Sequence, residues 1–460
     1  MRPILTAAEM RAAEDRAIAA GTSVETLMDR AGTAAAEAIR RHAGSAPVLV
    51  LCGPGNNGGD GYVIACRLRE AGIAVRVAAD ARPKAGAAAA ARAAWDGPVE
   101  AIAEAGPAAV LVDALFGTGL SRGLDAALAG ELARLAAGAR VRVAVDLPSG
   151  VATDNGAVLS PVPDYDLTVA FAALKPSHRL QPAARHMGRV VVADIGIAAQ
   201  SRLTEIARPR LATPGPDDYK YSRGYVAVLA GAMPGASALT ASAAARAGAG
   251  YVRLIASRHV SGTPDAVVQA QGSAAELLAD DRIDCAAVGP GLGRDAEAQA
   301  LLDAALASRH ALVLDADALI LLAARGSDAL AGLAETPILT PHAGEFARLW
   351  PDAAGSKVDR AHAAAAAWRA VIVFKGADTV VAAPDGRAAI APPAPAWLAS
   401  AGTGDVLAGI VAAMRARFPD PFDAACAAVW LHGRAAEFAG PALIADDLPP
   451  MLPAALAQCL

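Results

Sequence analysis

Apolar positions along this chain fall into two alternating rhythms. Short, mostly apolar runs predict buried strands at 48–51, 110–112, 141–145, 167–171 and 190–193. Alanine-rich stretches at 86–94 and 126–136 read as helices between them. Ahead of the first run, Thr6 and Glu9 make a capping box that opens a helix ending near Gly21. A second helix covers about 24–42, and another about 62–70. The stretch 208–218, RPRLATPGPDD, interrupts the pattern and reads as a linker. The alternation then resumes, with strands predicted at 225–229, 252–255, 286–288, 311–314, 371–374 and 379–382. Val406, Leu407, Ile410, Val411 and Met414 recur at spacings of three and four, which predicts an amphipathic helix reaching to about Phe418. Strands alternating with helices imply mostly parallel sheets covered on both faces. The expectation is two α/β domains, 1–210 and 211–460.

Composition narrows the picture in three ways. The net charge of -5 argues against nucleic acid as the main partner. The five cysteines stand apart with no CxxC pair, which fits reduced thiols and neither a disulfide framework nor a zinc site. The N-terminus, MRPILTAAEMRAAEDR, becomes charged too soon for a signal peptide. Residues 225–245 carry no charge, but Gly231, Pro234, Gly235 and several hydroxyl residues break the run, so it reads as strand, turn and helix rather than a membrane span. A soluble, cytoplasmic protein is expected.

The chemistry gathers where predicted strands end. Ala401-Gly402-Thr403-Gly404-Asp405 leads into the last amphipathic helix. Unpaired N–H groups and the helix dipole there suit a phosphate, and Asp405 beside it suits a base for phosphoryl transfer to a hydroxyl. The competing reading is a plain N-cap aspartate. Lys375, after a predicted strand, suits nucleotide phosphates or an ordinary surface position. His342 suits substrate binding or a satisfied turn, and Asp315 and Asp317 suit turn acids. In the first half, the glycine-rich run Gly53 to Gly61 follows a strand but matches neither GxGxxG nor GxxxxGKS. With Asp113 to Gly119 and Asp146 to Gly150 it marks a shared cleft at the carboxyl ends of strands.

Several of these segments carry a resemblance. YKYSRG, GPGLG, LDADAL, TPHAGEFARL, VFKGADTVV and SAGTGDVLAGI occur in the order seen in ADP-dependent NAD(P)H-hydrate dehydratases, which have a ribokinase-like fold. LMDRAG, CGPGNNGGDGY, VDALFGTGL and VDLPSGV resemble the Rossmann-like YjeF N-terminal domain, an NAD(P)H-hydrate epimerase. The resemblance covers nearly the whole chain in the order of the bifunctional repair enzymes. It implies epimerisation of the R and S forms of NADHX and NADPHX. It also implies dehydration of the S form at the expense of ADP, with Mg2+, to give AMP, phosphate and the normal cofactor.

By the same resemblance Lys375, Gly376, Ala377, Asp378, Thr379 and Gly404 hold the nucleotide. Ala236, Gly293, His342 and Asp405 face the hydrate, with Asp405 as catalytic base. In the first half, Asn56, Asn57, Gly58, Gly59 and Asp60 bind substrate. So do Gly117, Thr118, Gly119, Leu120, Ser121, Arg122 and Gly123, together with Asp146. Asn57, Asp113 and Ser149 would hold a potassium ion, as an all-oxygen donor set suits a hard cation. Asp146 is the candidate proton shuttle for epimerisation, which requires either the C6–O bond or the ring to open. A homo-oligomer is expected. The sequence departs from the family at 391–398, APPAPAWL, where an asparagine-glycine-asparagine type segment usually stands. Two other readings compete: a ribokinase-like small-molecule kinase fused to a ligand-binding domain, and a non-catalytic ligand sensor or scaffold.

Overall fold

The computed structural model describes residues 1–460. The chain divides into two compact units, Arg2–Leu203 and Thr204–Leu460, with Met1 grouped with the second. No helix is long and apolar enough to cross a membrane.

In the first unit the elements run β1 (Arg2–Pro3), α1 (Ala7–Ala19), α2 (Val24–Ala43), β2 (Val48–Cys52), α3 (Asn56–Glu70), β3 (Val75–Ala79), α4 (Gly86–Ala94), β4 (Val99–Ala101), β5 (Val110–Ala114), α5 (Ala126–Ala137), β6 (Val141–Val145), β7 (Leu167–Phe171) and β8 (Arg189–Ala193). The sheet order is β4-β3-β2-β5-β6-β7-β8, parallel throughout. β2, β5 and β7 are buried at every position, which is why their sequences are largely apolar and not alternations, with the buried polar exceptions Asp113 and Thr168. Register sets Leu51 beside Asp113 and Cys52 beside Ala114, so the polar segments that follow β2 and β5 emerge together.

The second unit follows β9 (Leu203–Glu205) with β10 (Tyr225–Leu229), α6 (Pro234–Arg246), β11 (Tyr251–Ile255), β12 (Val268–Ala270), α7 (Ala274–Leu277), β13 (Cys285–Val288), α8 (Ala296–Leu306), β14 (Ala311–Leu314), α9 (Ala316–Ala323), β15 (Ile338–Leu339), α10 (Ala343–Leu349), α11 (Lys357–Trp368), β16 (Val371–Phe374), β17 (Val380–Ala382), β18 (Ala388–Ile390), α12 (Thr403–Arg415), α13 (Pro421–Ala439) and α14 (Leu448–Ala457). Its sheet runs β9-β18-β17-β16-β15-β14-β13-β10-β11-β12. The body is parallel, and β16, β17 and β18 form an antiparallel edge. α12 is buried over most of its length and packs on α6, α13 and β13.

Three expectations change. The glycine-rich run is not a loop before a helix starting at 62: α3 begins at Asn56 and takes the glycines into its first two turns. They are there for close packing, since a Cβ on Gly61 would fall 2.8 Å from Ala114 Cβ and 2.9 Å from Cys52 Sγ. α12 stops at Arg415, short of Phe418, whose N–H closes onto Met414 O. Residues 208–218 carry no helix or strand, yet Leu211 is buried in the second core and its N–H donates to Cys459 O. β3, β4, β12, β15 and β18 escaped the pattern because they are short, or partly exposed, or both.

Candidate active sites

In the first unit the strand ends enclose a cleft of about 740 Å³. Asp146, just past β6, is at its floor. Asp146 has a positive φ of 63°, and the Leu147 N–H turns back to Val145 O at 2.8 Å. A non-glycine residue held in so tight a turn is sparsely populated backbone, which the surrounding structure must enforce. The enforcement is visible. Lys175 Nζ donates to Asp146 Oδ1 at 2.5 Å and to Phe171 O at 2.9 Å. The Thr118 hydroxyl and N–H both donate to Asp146 Oδ2. His178 ties the two backbones together: its Nδ1 accepts the Lys175 N–H at 2.8 Å, which leaves Nε2 as the protonated nitrogen donating to Asp146 O at 2.7 Å.

Charge is divided within this cleft. Burial alone would raise Asp146, but the Lys175 ammonium and the Thr118 hydroxyl reverse this and hold it below the ordinary carboxylate range. Burial, followed by the Asp146 and Glu14 charges, pushes Asp60 well above that range. Glu14 is raised by burial and by Asp146. Burial drives His178 down to about 3, so it stays neutral. One cleft therefore holds one carboxyl shifted toward its ionised form and another shifted toward its protonated form, the kind of separation that acid–base chemistry uses.

Asn56, Asn57, Asp60, Gly117, Thr118, Gly119, Leu120 and Asp146 line the cleft. A Cβ on Gly117 would sit 2.9 Å from Asn57 Oδ1 and 3.2 Å from Asp146 Oδ2, so those two groups converge on it. Gly58, Gly59, Ser121, Arg122 and Gly123 do not line it. Gly58 packs α3 onto the Gly53 carbonyl, and Gly59 packs against Met28. Asp113 and Ser149 lie behind the wall, both fully buried. Ser149 Oγ and N donate to the two Asp113 oxygens at 2.7 and 2.9 Å, Leu115 N adds a third bond, and Tyr165 Oη a fourth at 2.5 Å. None of these four partners is a cation. Burial raises the Asp113 carboxyl despite these four donors. The amide Nδ2 of Asn57 is also buried and unpartnered, but as a donor it does not ligate a cation; only the Oδ1 of this amide could. A buried carboxyl without a counter-charge, beside hydroxyl oxygens, is the kind of oxygen donor a hard monovalent cation takes. Lys175, His178, Tyr165 and Glu14 were not anticipated. The available signal was LKPSH standing just after a fully buried strand.

In the second unit, α12 starts at Thr403 with Gly402 as its N-cap, at φ 86°. Asp405 is therefore the third helical residue and not the cap. The Thr403 hydroxyl donates to Leu398 O and Ser400 O, which fixes the entry to the helix. Lys375, after β16, pairs with Asp315 at 2.7 Å. A Cβ on Gly404 would lie 3.4 Å from Lys375 Nζ, so the cation stands over the first turn of α12. Burial, then the Asp315 charge, lifts Asp405 to about 6 against the opposing pull of Lys375. Glu345 and Asp317 add to the rise.

Gly376, Ala377, Asp378 and Thr379 form the turn between β16 and β17, closed by Gly376 N donating to Thr379 Oγ1. Lys357 pins this turn from α11, with Nζ 2.6 Å from Asp378 Oδ1 and 3.3 Å from Lys375 O. Lys357 was not anticipated either. His342 caps α10: its Nδ1 accepts from Gly344 N and Glu345 N, so Nε2 bears the proton, 3.3 Å from Glu345 Oε1. Gly293 N donates to Asp317 Oδ2, and Ala236 Cβ lies 3.0 Å from where a Gly291 Cβ would be. Ala236, Gly293, His342, Lys375 and Asp405 thus all follow the carboxyl ends of neighbouring strands or open the helices that cover them. Asp315 and Asp317 are more than turn acids, since each holds a cation or an amide of the site.

These two sites define a two-domain α/β enzyme: a parallel-sheet unit with a carboxylate-centred cleft, and a ribokinase-like unit with a base and a lysine over a helix N-terminus. A family profile for NAD(P)H-hydrate dehydratase matches residues 226–455, and one for the YjeF-related protein N-terminus matches 24–177. The chain is 36% identical to the bifunctional NAD(P)H-hydrate repair enzyme Nnr of Salinibacter ruber, across 99% of this chain and 96% of that one. It is 34% identical to Nnr of Escherichia coli K12, across 93% and 88%. A ribokinase-like superfamily protein from Enterococcus faecalis shares the fold at 23% identity and a TM-score of 0.51, covering 57% of this chain and 98% of its own. The chain belongs to the family of bifunctional NAD(P)H-hydrate repair enzymes.

Proposed function

We infer that this chain restores hydrated nicotinamide cofactors, epimerising NADHX and NADPHX in the first unit and dehydrating the S form in the second. The observation that carries the second activity is Asp405, lifted to about 6 beside Lys375 at the head of α12. A base poised near neutrality is matched to removing a hydroxyl proton at cellular pH. ADP lies with its terminal phosphoryl group over the α12 amides and Lys375, and with its remainder on the Gly376 to Thr379 turn. Asp405 takes the proton from the C6 hydroxyl as that oxygen takes the phosphoryl group. The ring nitrogen then expels the phosphorylated oxygen as phosphate, forming N1=C6, and loss of a proton from C5 to water restores C5=C6 and the normal cofactor, with AMP as the other product. Preorganised N–H groups hold the developing charge. The acids Asp315, Glu345 and Asp405 repel one another, which fits Mg2+ entering with the nucleotide.

In the first unit Asn57, Asp113 and Ser149 hold potassium, which supplies the counter-charge that the four contacts of Asp113 lack. Asn56, Asp60, Gly117 to Leu120 and Asp146 receive the hydrate. Chemically hydrated NADH tests the reading. Its absorbance should recover with ADP present and stay low with ADP omitted. Accumulation of a phosphorylated alcohol without NADH would point instead to a kinase.

A further inference from the structure

Inverting C6 requires breaking either C6–O or the ring bond C6–N1. Given the epimerase role proposed for the cleft, we propose that C6–O breaks and that the Lys175 ammonium is the catalytic proton donor to the departing oxygen. Lys175 is only 1% exposed, yet it lines the cleft. An ammonium has three N–H groups. Two are occupied, by Asp146 Oδ1 and Phe171 O, which leaves one for a group in the cleft. His178 fixes the geometry by binding the backbone of both Lys175 and Asp146, and as a neutral ring it adds no competing charge.

The charge of the cleft selects between the two routes. Its ionisable lining is Glu14, Asp15, Asp60 and Asp146 against Arg11 and Lys175, with Asp60 and Glu14 pushed toward their neutral forms. Glu14 and Asp60 lie within the field of both Asp146 and Lys175. Ring opening gives a neutral aldehyde and a neutral enamine, for which an acidic wall does nothing. C6–O cleavage gives a ring cation, which such a wall stabilises. The nitrogen lone pair forms N1=C6 as C6–O breaks, and the oxygen leaves as water with the Lys175 proton. Water then adds to the other face of C6, the electron pair returns to N1, and the proton released goes back through cleft water to the Lys175 amine. Nothing is oxidised or reduced, and the sum is inversion at C6.

Two measurements on the full chain test this. In the first, R-NADHX is epimerised by wild-type protein in 18O-labelled water and quenched within the first turnovers. The S product should carry solvent oxygen at C6; retention of the original oxygen overturns the route. In the second, Lys175→Arg keeps a cation beside Asp146 but cannot give up its proton. Its kcat for epimerisation should fall about 100-fold or more, with KM little changed. Dehydration of S-NADHX by the same chain reports that the variant is intact. Epimerisation by Lys175→Arg within a few-fold of wild type overturns the donor role. Should the larger side chain prevent folding, Lys175→Met read the same way decides the donor, and the labelling result stands on wild-type protein alone. Wild-type protein that does not epimerise at all would instead refute the functional reading of the cleft.

Discussion

At the residue scale, Asp405 shows how position along a helix changes meaning. As an N-cap it would be replaceable by asparagine, which caps equally well. As the third residue, desolvated and facing Asp315, Glu345 and Asp317, it is charged at some cost to the fold. A carboxyl raised in the folded state binds its proton there before the unfolded chain does. Its contribution therefore favours folding as pH falls from about 6 toward the ordinary value of 3.8, and opposes it above about 6. Asp405→Asn should melt at or above the wild-type temperature at pH 8 while dehydration falls by about 10²–10⁴. For wild-type protein the dehydration rate should drop as pH is lowered through about 6, because the base becomes protonated. A flat profile across that range would return Asp405 to a structural role.

At the scale of elements, both sites depend on helices brought unusually close to their neighbours. A Cβ on Gly409 would collide with the Thr240 backbone carbonyl, where α12 crosses α6. The same Thr240 donates its hydroxyl to Asp405 O at 3.0 Å, so the contact that seats the helix also seats the base. Gly409→Ala should cost about 1–3 kcal/mol by overpacking and slow dehydration without touching epimerisation. α3 offers an internal comparison. A Cβ on Gly58 meets the rigid Gly53 carbonyl, whereas one on Gly59 meets chiefly the flexible end of Met28 at 2.5 Å, with the Ala88 backbone at 3.0 Å. Gly58→Ala should lower the melting temperature and epimerase rate clearly more than Gly59→Ala. Equal effects would mean that α3 can shift as a body.

At the scale of the whole molecule, each unit has its own sheet and core, and each should fold when expressed alone. Where the cut falls matters. Ile206 and Leu211 are buried in the second core, and Ile206 N donates to Ile390 O at 2.9 Å. A fragment 204–460 keeps these contacts and 212–460 lacks them. Burial of one such side chain is worth about 1.5–3 kcal/mol, so the longer fragment should melt several degrees higher. Identical melting curves would make the segment a true linker. Epimerase activity should remain with 1–203 and dehydratase activity with 204–460.

The sequence by itself determined the alternation of strand and helix, the parallel sheets and the family, because buried strands need mostly apolar runs and the motifs stand at their ends. β7, β10, β14 and β16 were legible to the residue for that reason. It also marked Asp60, Asp146, Lys375 and Asp405 as chemistry-bearing. Only the tertiary structure decided that the glycines of 58–61 belong inside a helix, since their purpose is contact with Gly53, Met28 and Ala114 from other elements. It alone paired Lys175 with Asp146 across 29 residues of chain, and Lys375 with Asp315 across 60. Periodicity reports which face of an element is buried. Which charges meet, and so which carboxyl keeps its proton, depends on the distances between elements that local sequence does not encode.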